Sequence, residues 1–394
     1  MNKWYKSIPE GTKDLLFSDL RCKKKIENEL SAYFDSCGFS ELSTPSLEFM
    51  DVYSINEALP SESMIKTFDV KGRLLVMRAD NTVSAARVIA TKVGVDRIRR
   101  FYYIQNTFMQ NAYLSGKYNE RTQSGVELIG ADGIKADIEI LVTAINAIKQ
   151  CGLKDYKIEI GHGGFFKKIA ARMKLDSDTL NDIRLLVESK NFTALNDMLD
   201  EMSSLRNDEE FKKQCDIIRS LPRMFGGREI LDKAHDTFND AFVNEELDYL
   251  DGIYRRLKEM GADKFVSFDL GMVHYLNYYT GIVFKGYVSG SRDAVLDGGR
   301  YDNLLERFGT EHTPAVGFGI DVDSAAELIT ADEKVNDCPP DILLHYNENK
   351  IAAACVKAEQ LRNDGLAVEL SVFDDETEAR EYAEKRGINK FLVL

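Results

Sequence analysis

The side chains with chemistry to offer fall in three stretches: Asp80 and Thr82, then Gln123 and Glu127, then Tyr278, Tyr279 and Tyr301. Asp80, Thr82 and Gln123 can together hold an ammonium group through charge and hydrogen bonds. Glu127 can accept from an N–H donor, and Tyr279 can meet a second polar atom of the same ligand. Tyr278 and Tyr301 can add apolar walls with polar tips. These are the requirements of an amino-acid pocket.

Generic catalytic signatures do not fit. Ser115-Gly116-Lys117 suggests a phosphate loop, but position 111 is asparagine rather than glycine. Tyr118 also stands where Ser or Thr should hold magnesium. Gly161-His162-Gly163-Gly164 reads as a flexible turn at a strand end. Neither a GxSxG elbow nor an HExxH pair occurs. The five histidines and six cysteines are scattered, without a CxxC pair, so a metal cluster is not indicated. Reduced cysteines packed as small hydrophobes are the simpler reading. No cofactor is expected.

Helices and strands must bring these residues together. Apolar positions Leu20, Ile26, Leu30, Tyr33 and Phe34 repeat at helical spacing over 17–36, and Gly38 stops that helix. Residues 39–45 read as a strand ending at Pro45, followed by strands at 74–77, 101–105 and 125–129 and an apolar helix at 136–150. Between about 166 and 250 strand signals vanish and helical spacing takes over, which reads as a helical insertion. Strands return at 265–270, 281–288 and 315–322. Asp337-Cys338-Pro339-Pro340 marks a linker. Beyond it strands and helices alternate (341–345, 348–363, 367–372, 377–386, 390–394), as in a small α/β unit. The expected organisation is a core over 1–330 and a short domain over 337–394.

The chain has 394 residues, 44% of them hydrophobic and 29% charged, which is ordinary for a globular protein of two or three domains. It has no apolar run of the roughly 18 residues a membrane helix needs, and no apolar signal segment follows Met1. A cytoplasmic protein is expected. The net charge of −14 lowers the expectation of nucleic-acid binding, which uses cations against phosphates.

Several segments together resemble the histidyl-tRNA synthetases. They are Pro9 through Asp14, Gly116-Lys117-Tyr118, Gln123 through Gly130, Met272 through Gly281, Gly298 through Leu305, and Thr313-Pro314-Ala315-Val316-Gly317-Phe318-Gly319. Gly38-Phe39 through Thr44-Pro45 resembles the dimer-forming first motif of class II synthetases. The resemblance covers about residues 5–330 and implies an α+β fold, an antiparallel sheet flanked by helices. It also implies that the pocket takes histidine, with Glu127 and Tyr279 meeting the two imidazole nitrogens.

The cations that synthetases aim at the reacting phosphate are missing. The family's second-motif arginine is Met109, with Asn111 for its acidic partner. The arginine of its histidine-specific segment is His274, and the third-motif arginine is Ser324. Losing one preorganised stabiliser costs about 10² to 10³ in rate, so adenylate formation should be negligible. A ligand carboxylate would then turn to Arg121 or Arg78. The tail agrees: residues 335–394 carry twelve acidic against seven basic residues, a poor surface for an RNA backbone.

Such a chain is similar to the family of regulatory subunits that accompany short-form ATP phosphoribosyltransferases. That resemblance implies a non-catalytic chain, dimeric within a hetero-oligomer. It would activate the catalytic subunit and confer histidine inhibition on the first step of histidine biosynthesis. Two rivals remain at this stage. One is a divergent active synthetase. The other is a paralogue that binds tRNA or another amino acid.

Overall fold

The computed structural model describes residues 4–55, 59–111, 116–206, 208–238, 241–272, 279–332 and 339–394. His274, Tyr278 and the first half of the expected linker, Asp337 and Cys338, lie outside them. Two compact units are distinguished, Met1–Leu15 with Asp19–Asp332, and Leu16–Ser18 with Glu333–Leu394.

Helix α1, Phe17–Ser36, buries Ile26, Leu30 and Phe34, the same-face residues of successive turns. Gly38 follows it with φ of +80°, a left-handed conformation that glycine adopts freely at a helix end. The strand expected at 39–45 is only β1, Ser40–Glu41. Pro45 has no N–H for a ladder, and the Thr44 carbonyl is instead taken by the Arg78 guanidinium at 2.7 Å.

The remaining strands of the large sheet are β2 (Arg99–Phe108), β3 (Glu120–Ile129), β4 (Tyr156–His162), β5 (Phe225–Gly226), β6 (Val266–Asp269), β7 (Ile282–Val288), β8 (Leu296–Arg300) and β9 (Ala315–Asp321). Their order is β1-β2-β3-β9-β8-β7-β4-β6-β5. The run from β2 through β9, β8 and β7 to β4 is antiparallel throughout. This is the antiparallel sheet flanked by helices that the sequence implied.

Side chains alternate across a strand, and the two faces differ. Tyr102, Val126, Leu128, Phe284, Val316, Phe318 and Ile320 pack against Leu30 and Phe34 of α1. The same face packs against Ile140 and Leu141 of helix α3, Ile134–Gln150. On the other face Phe101, Ile129, Val283 and Ala315 meet Val83 and Ala86 of helix α2, Asn81–Val88. That second face carries the polar residues considered below.

Among the described residues, six α-helices between Gly163 and Glu259 form the helical stretch, broken by the two-residue strand β5. Gly161-His162-Gly163-Gly164 is not the flexible turn expected. It is a strand-to-helix junction, where the His162 ring accepts from the Gly164 N–H and caps the helix Gly163–Met173. The second unit holds a parallel sheet of Val368–Leu370, Ile342–His345 and Lys390–Val393, with Ile342–His345 in the centre. Ile342 and Leu344 pack on Ala354 and Ala358, whereas Leu343 packs on Ala379 and Ala383, so each face is covered by one helix.

Candidate functional site

Glu127 lies on β3, opposite Gly317 of β9 and Phe101 of β2. Its carboxylate is buried and accepts from the Thr82 hydroxyl at 2.7 Å and the Tyr103 hydroxyl at 3.2 Å on one oxygen. The Tyr301 hydroxyl donates to the other oxygen. Burial pushes the carboxyl up to about 8 against the three hydroxyls, which pull it down. The same carboxylate, with burial as the larger cause, holds the Tyr103 and Tyr301 phenols well above their ordinary value.

Thr82 reaches Glu127 because it sits in the first turn of α2. Asp80 is the cap of that helix and accepts from the Val83 N–H at 2.8 Å. Burial raises its carboxyl to about 6, so a cation placed there would be welcome. Gln123 lies two pleats from Glu127 on the same face of β3, and the Asn81 side chain donates to its oxygen at 2.9 Å. Tyr279 is buried against β8, with its backbone carbonyl held by the Lys167 ammonium at 2.7 Å.

Glycines make room for these side chains. A methyl group at Gly317 would stand 2.0 Å from the Glu127 carboxylate, and one at Gly319 2.4 Å from the Gln123 amide. At Gly299 it would stand 2.7 Å from the Tyr279 ring, and at Gly125 2.7 Å from the Tyr103 hydroxyl. Between these side chains the face of the sheet is bare backbone.

Thr82, Glu127 and Tyr301 are joined directly, with Asp80, Gln123 and Tyr279 around them. Arg121 is not joined to this cluster. Its guanidinium pairs with Asp321 at 2.8 Å and lines the adjoining cavity of about 500 Å³ with Met109, Asn111 and Lys285. Arg78 is not available either, because its guanidinium is spent on the backbone carbonyls of Thr44, Pro45 and Asn106. Asn81 and Tyr103 belong to the site and were not read from the sequence. Tyr103 lies in a strand noticed for its apolar content, and only the pairing of Tyr103 with Gly125 turns its hydroxyl to Glu127.

The positions of the absent arginines are filled differently. Met109 packs in the apolar cluster around Val76 and Met64. Ser324 bonds to Asp321 through both its N–H, at 3.0 Å, and its hydroxyl, at 2.8 Å.

The buried carboxyls imply a pH-dependent stability. Between the ordinary value of 4.5 and about 8, folded Glu127 holds a proton that the unfolded chain releases. Its contribution is thus complete below 4.5 and is lost as pH rises through 8, at up to about 1.4 kcal/mol per pH unit. Asp80 adds a slope of the same sign up to about 6. Urea unfolding at pH 6.5 and pH 8 should show the wild-type chain losing stability and Glu127→Gln losing much less.

The family profile for histidyl-tRNA synthetase matches residues 11–325. A solved structure from Bacillus halodurans, titled an ATP phosphoribosyltransferase regulatory subunit/histidyl-tRNA synthetase, has a TM-score of 0.85 at 26% identity. It covers 98% of this chain and 97% of that one. Sheet, insertion and polar floor together define a class II synthetase-like protein of the histidyl type. An ATP phosphoribosyltransferase regulatory subunit of Clostridium kluyveri is 40% identical over the full length of both chains. One from Bacillus mycoides is 34% identical over 98% of this chain and 91% of its own. The chain belongs to the family of ATP phosphoribosyltransferase regulatory subunits.

Proposed function

We propose that this chain is non-catalytic, activates a short-form ATP phosphoribosyltransferase, and makes that enzyme sensitive to histidine. The observation that carries this reading is the buried Glu127 carboxylate ringed by Thr82, Tyr103 and Tyr301. It is a preformed acceptor for an imidazole N–H, with Asp80 placed for an ammonium. Two positions where a synthetase carries a cation for ATP activation hold the uncharged Met109 and Ser324, and Arg121 beside them is paired with Asp321. Histidine binding would favour one arrangement of a hetero-oligomer built on dimers of this chain, and about 1–3 kcal/mol of coupling suffices. The short acidic domain at 337–394, an anticodon-binding-like remnant in this reading, gives RNA little to hold.

The test is reconstitution. Mixing the chain with a short-form ATP phosphoribosyltransferase should raise phosphoribosyl-ATP formation, and histidine should lower it. The chain alone should give no histidine-dependent ATP–pyrophosphate exchange. Exchange at a synthetase rate would sink the reading.

A further inference from the structure

We infer that Thr280 is a positioning residue for the proposed site: it grips the backbone on both sides of Tyr301 and so aims the Tyr301 hydroxyl at Glu127. This rests on the histidine reading proposed above and adds a residue which that reading does not use.

Tyr301 is the first residue beyond β8, so the sheet alone does not set its backbone. Its N–H donates to the Ala315 carbonyl at 2.7 Å. The peptide groups on either side of it both go to Thr280. The Arg300 carbonyl accepts from the Thr280 N–H at 2.7 Å. The Asp302 N–H donates to the Thr280 hydroxyl oxygen at 3.0 Å. Peptide groups are planar, so holding the one before and the one after Tyr301 leaves its φ and ψ little freedom.

The grip is itself held in place. A hydroxyl that accepts one hydrogen bond still has its own hydrogen to place. The Asp302 carboxylate takes that hydrogen at 2.8 Å. The other Asp302 oxygen accepts from the Arg300 guanidinium at 3.1 Å and the Ala315 N–H at 3.2 Å. Arg300 is buried and also donates to the buried Asp137 at 2.9 Å, which receives the Tyr249 hydroxyl at 2.6 Å. Thr280 and Asp302 therefore form a reciprocal latch anchored in the core.

The latch matters because of what Tyr301 does at Glu127. Thr82 and Tyr103 both donate to one oxygen of that carboxylate, and Tyr301 donates to the other. A carboxylate oxygen offers two acceptor positions. The first oxygen is thus filled, and the oxygen that Tyr301 meets keeps one position. Where the Tyr301 hydroxyl stands decides which direction stays open to a ligand N–H. Thr280 acts on this through Tyr301.

Titration calorimetry of histidine on the full chain, alone and with its catalytic partner, tests the latch. Thr280→Val removes the hydroxyl with little change of shape. It should weaken histidine binding by about tenfold, the order of one lost hydrogen bond to a charged group. Thr280→Ser keeps the hydroxyl and should stay within about twofold of the wild type. The double-mutant cycle with Tyr301→Phe separates positioning from general damage. In the Tyr301→Phe chain, Thr280→Val should add less than about a further twofold. A full loss repeated in that background overturns the inference and leaves the histidine site standing. So does a Thr280→Val chain with wild-type affinity. A wild-type chain that binds no histidine overturns both. If Thr280→Val does not fold, Thr280→Ala removes the same hydroxyl and enters the same cycle.

Discussion

Glu127→Ala should abolish the histidine response of the reconstituted enzyme while leaving its activation in place. Glu127 is buried at the centre of the proposed site, and three hydroxyls already hold it in position. Without it the ligand's imidazole N–H would be buried with no acceptor, at a cost of about 1–3 kcal/mol, so histidine should bind roughly 5- to 150-fold more weakly. Activation would depend on exposed surfaces, and Glu127 is 1% exposed, so its replacement should leave such surfaces unchanged. Titration calorimetry and inhibition curves would measure the two effects separately. Full histidine inhibition in Glu127→Ala would remove this pocket from the account.

Gly317→Ala should damage both fold and pocket. The added methyl would stand 2.0 Å from the Glu127 carboxylate and 2.4 Å from the Val126 carbonyl. The carboxylate could swing only by leaving Thr82 and Tyr301, and the carbonyl belongs to the β3–β9 ladder. Overpacking of this kind costs about 1–3 kcal/mol. A lower melting temperature together with lost histidine binding is expected, read by calorimetry of the free chain. Unchanged melting and unchanged affinity would mean that the floor is softer than this packing requires.

Much of the fold was legible because its elements follow simple periods. Helix α1 showed itself through Ile26, Leu30 and Phe34, and the small second unit through alternating strands and helices. Strand β8 did not. Leu296-Asp297-Gly298-Gly299-Arg300 carries two glycines, which strands normally avoid. Here Phe284 and Tyr279 occupy the space their side chains would need. Strand β1 came out shorter than expected because Arg78, far along the chain, takes the Thr44 carbonyl.

The site was legible as residue types more than as contacts. Thr82, Glu127 and Tyr301 are joined as a group, and motif reading had named all three. Arg121 had been named as well, yet its partner Asp321 lies 200 positions away in sequence and gave no local sign. Asn81 was invisible for another reason. Its part in the site is a contact with the Gln123 side-chain oxygen, 42 positions away in sequence, which no local pattern announces.

The cap at Asp80 has one more meaning. The same carboxylate that faces the pocket also receives the Val83 N–H at the start of α2. Whatever draws charge from that carboxylate, a proton or a bound ammonium, is felt at the Val83 amide. Under the proposed function, the first turn of α2 would register occupancy of the site through this one hydrogen bond, as a change in the protection of the Val83 amide.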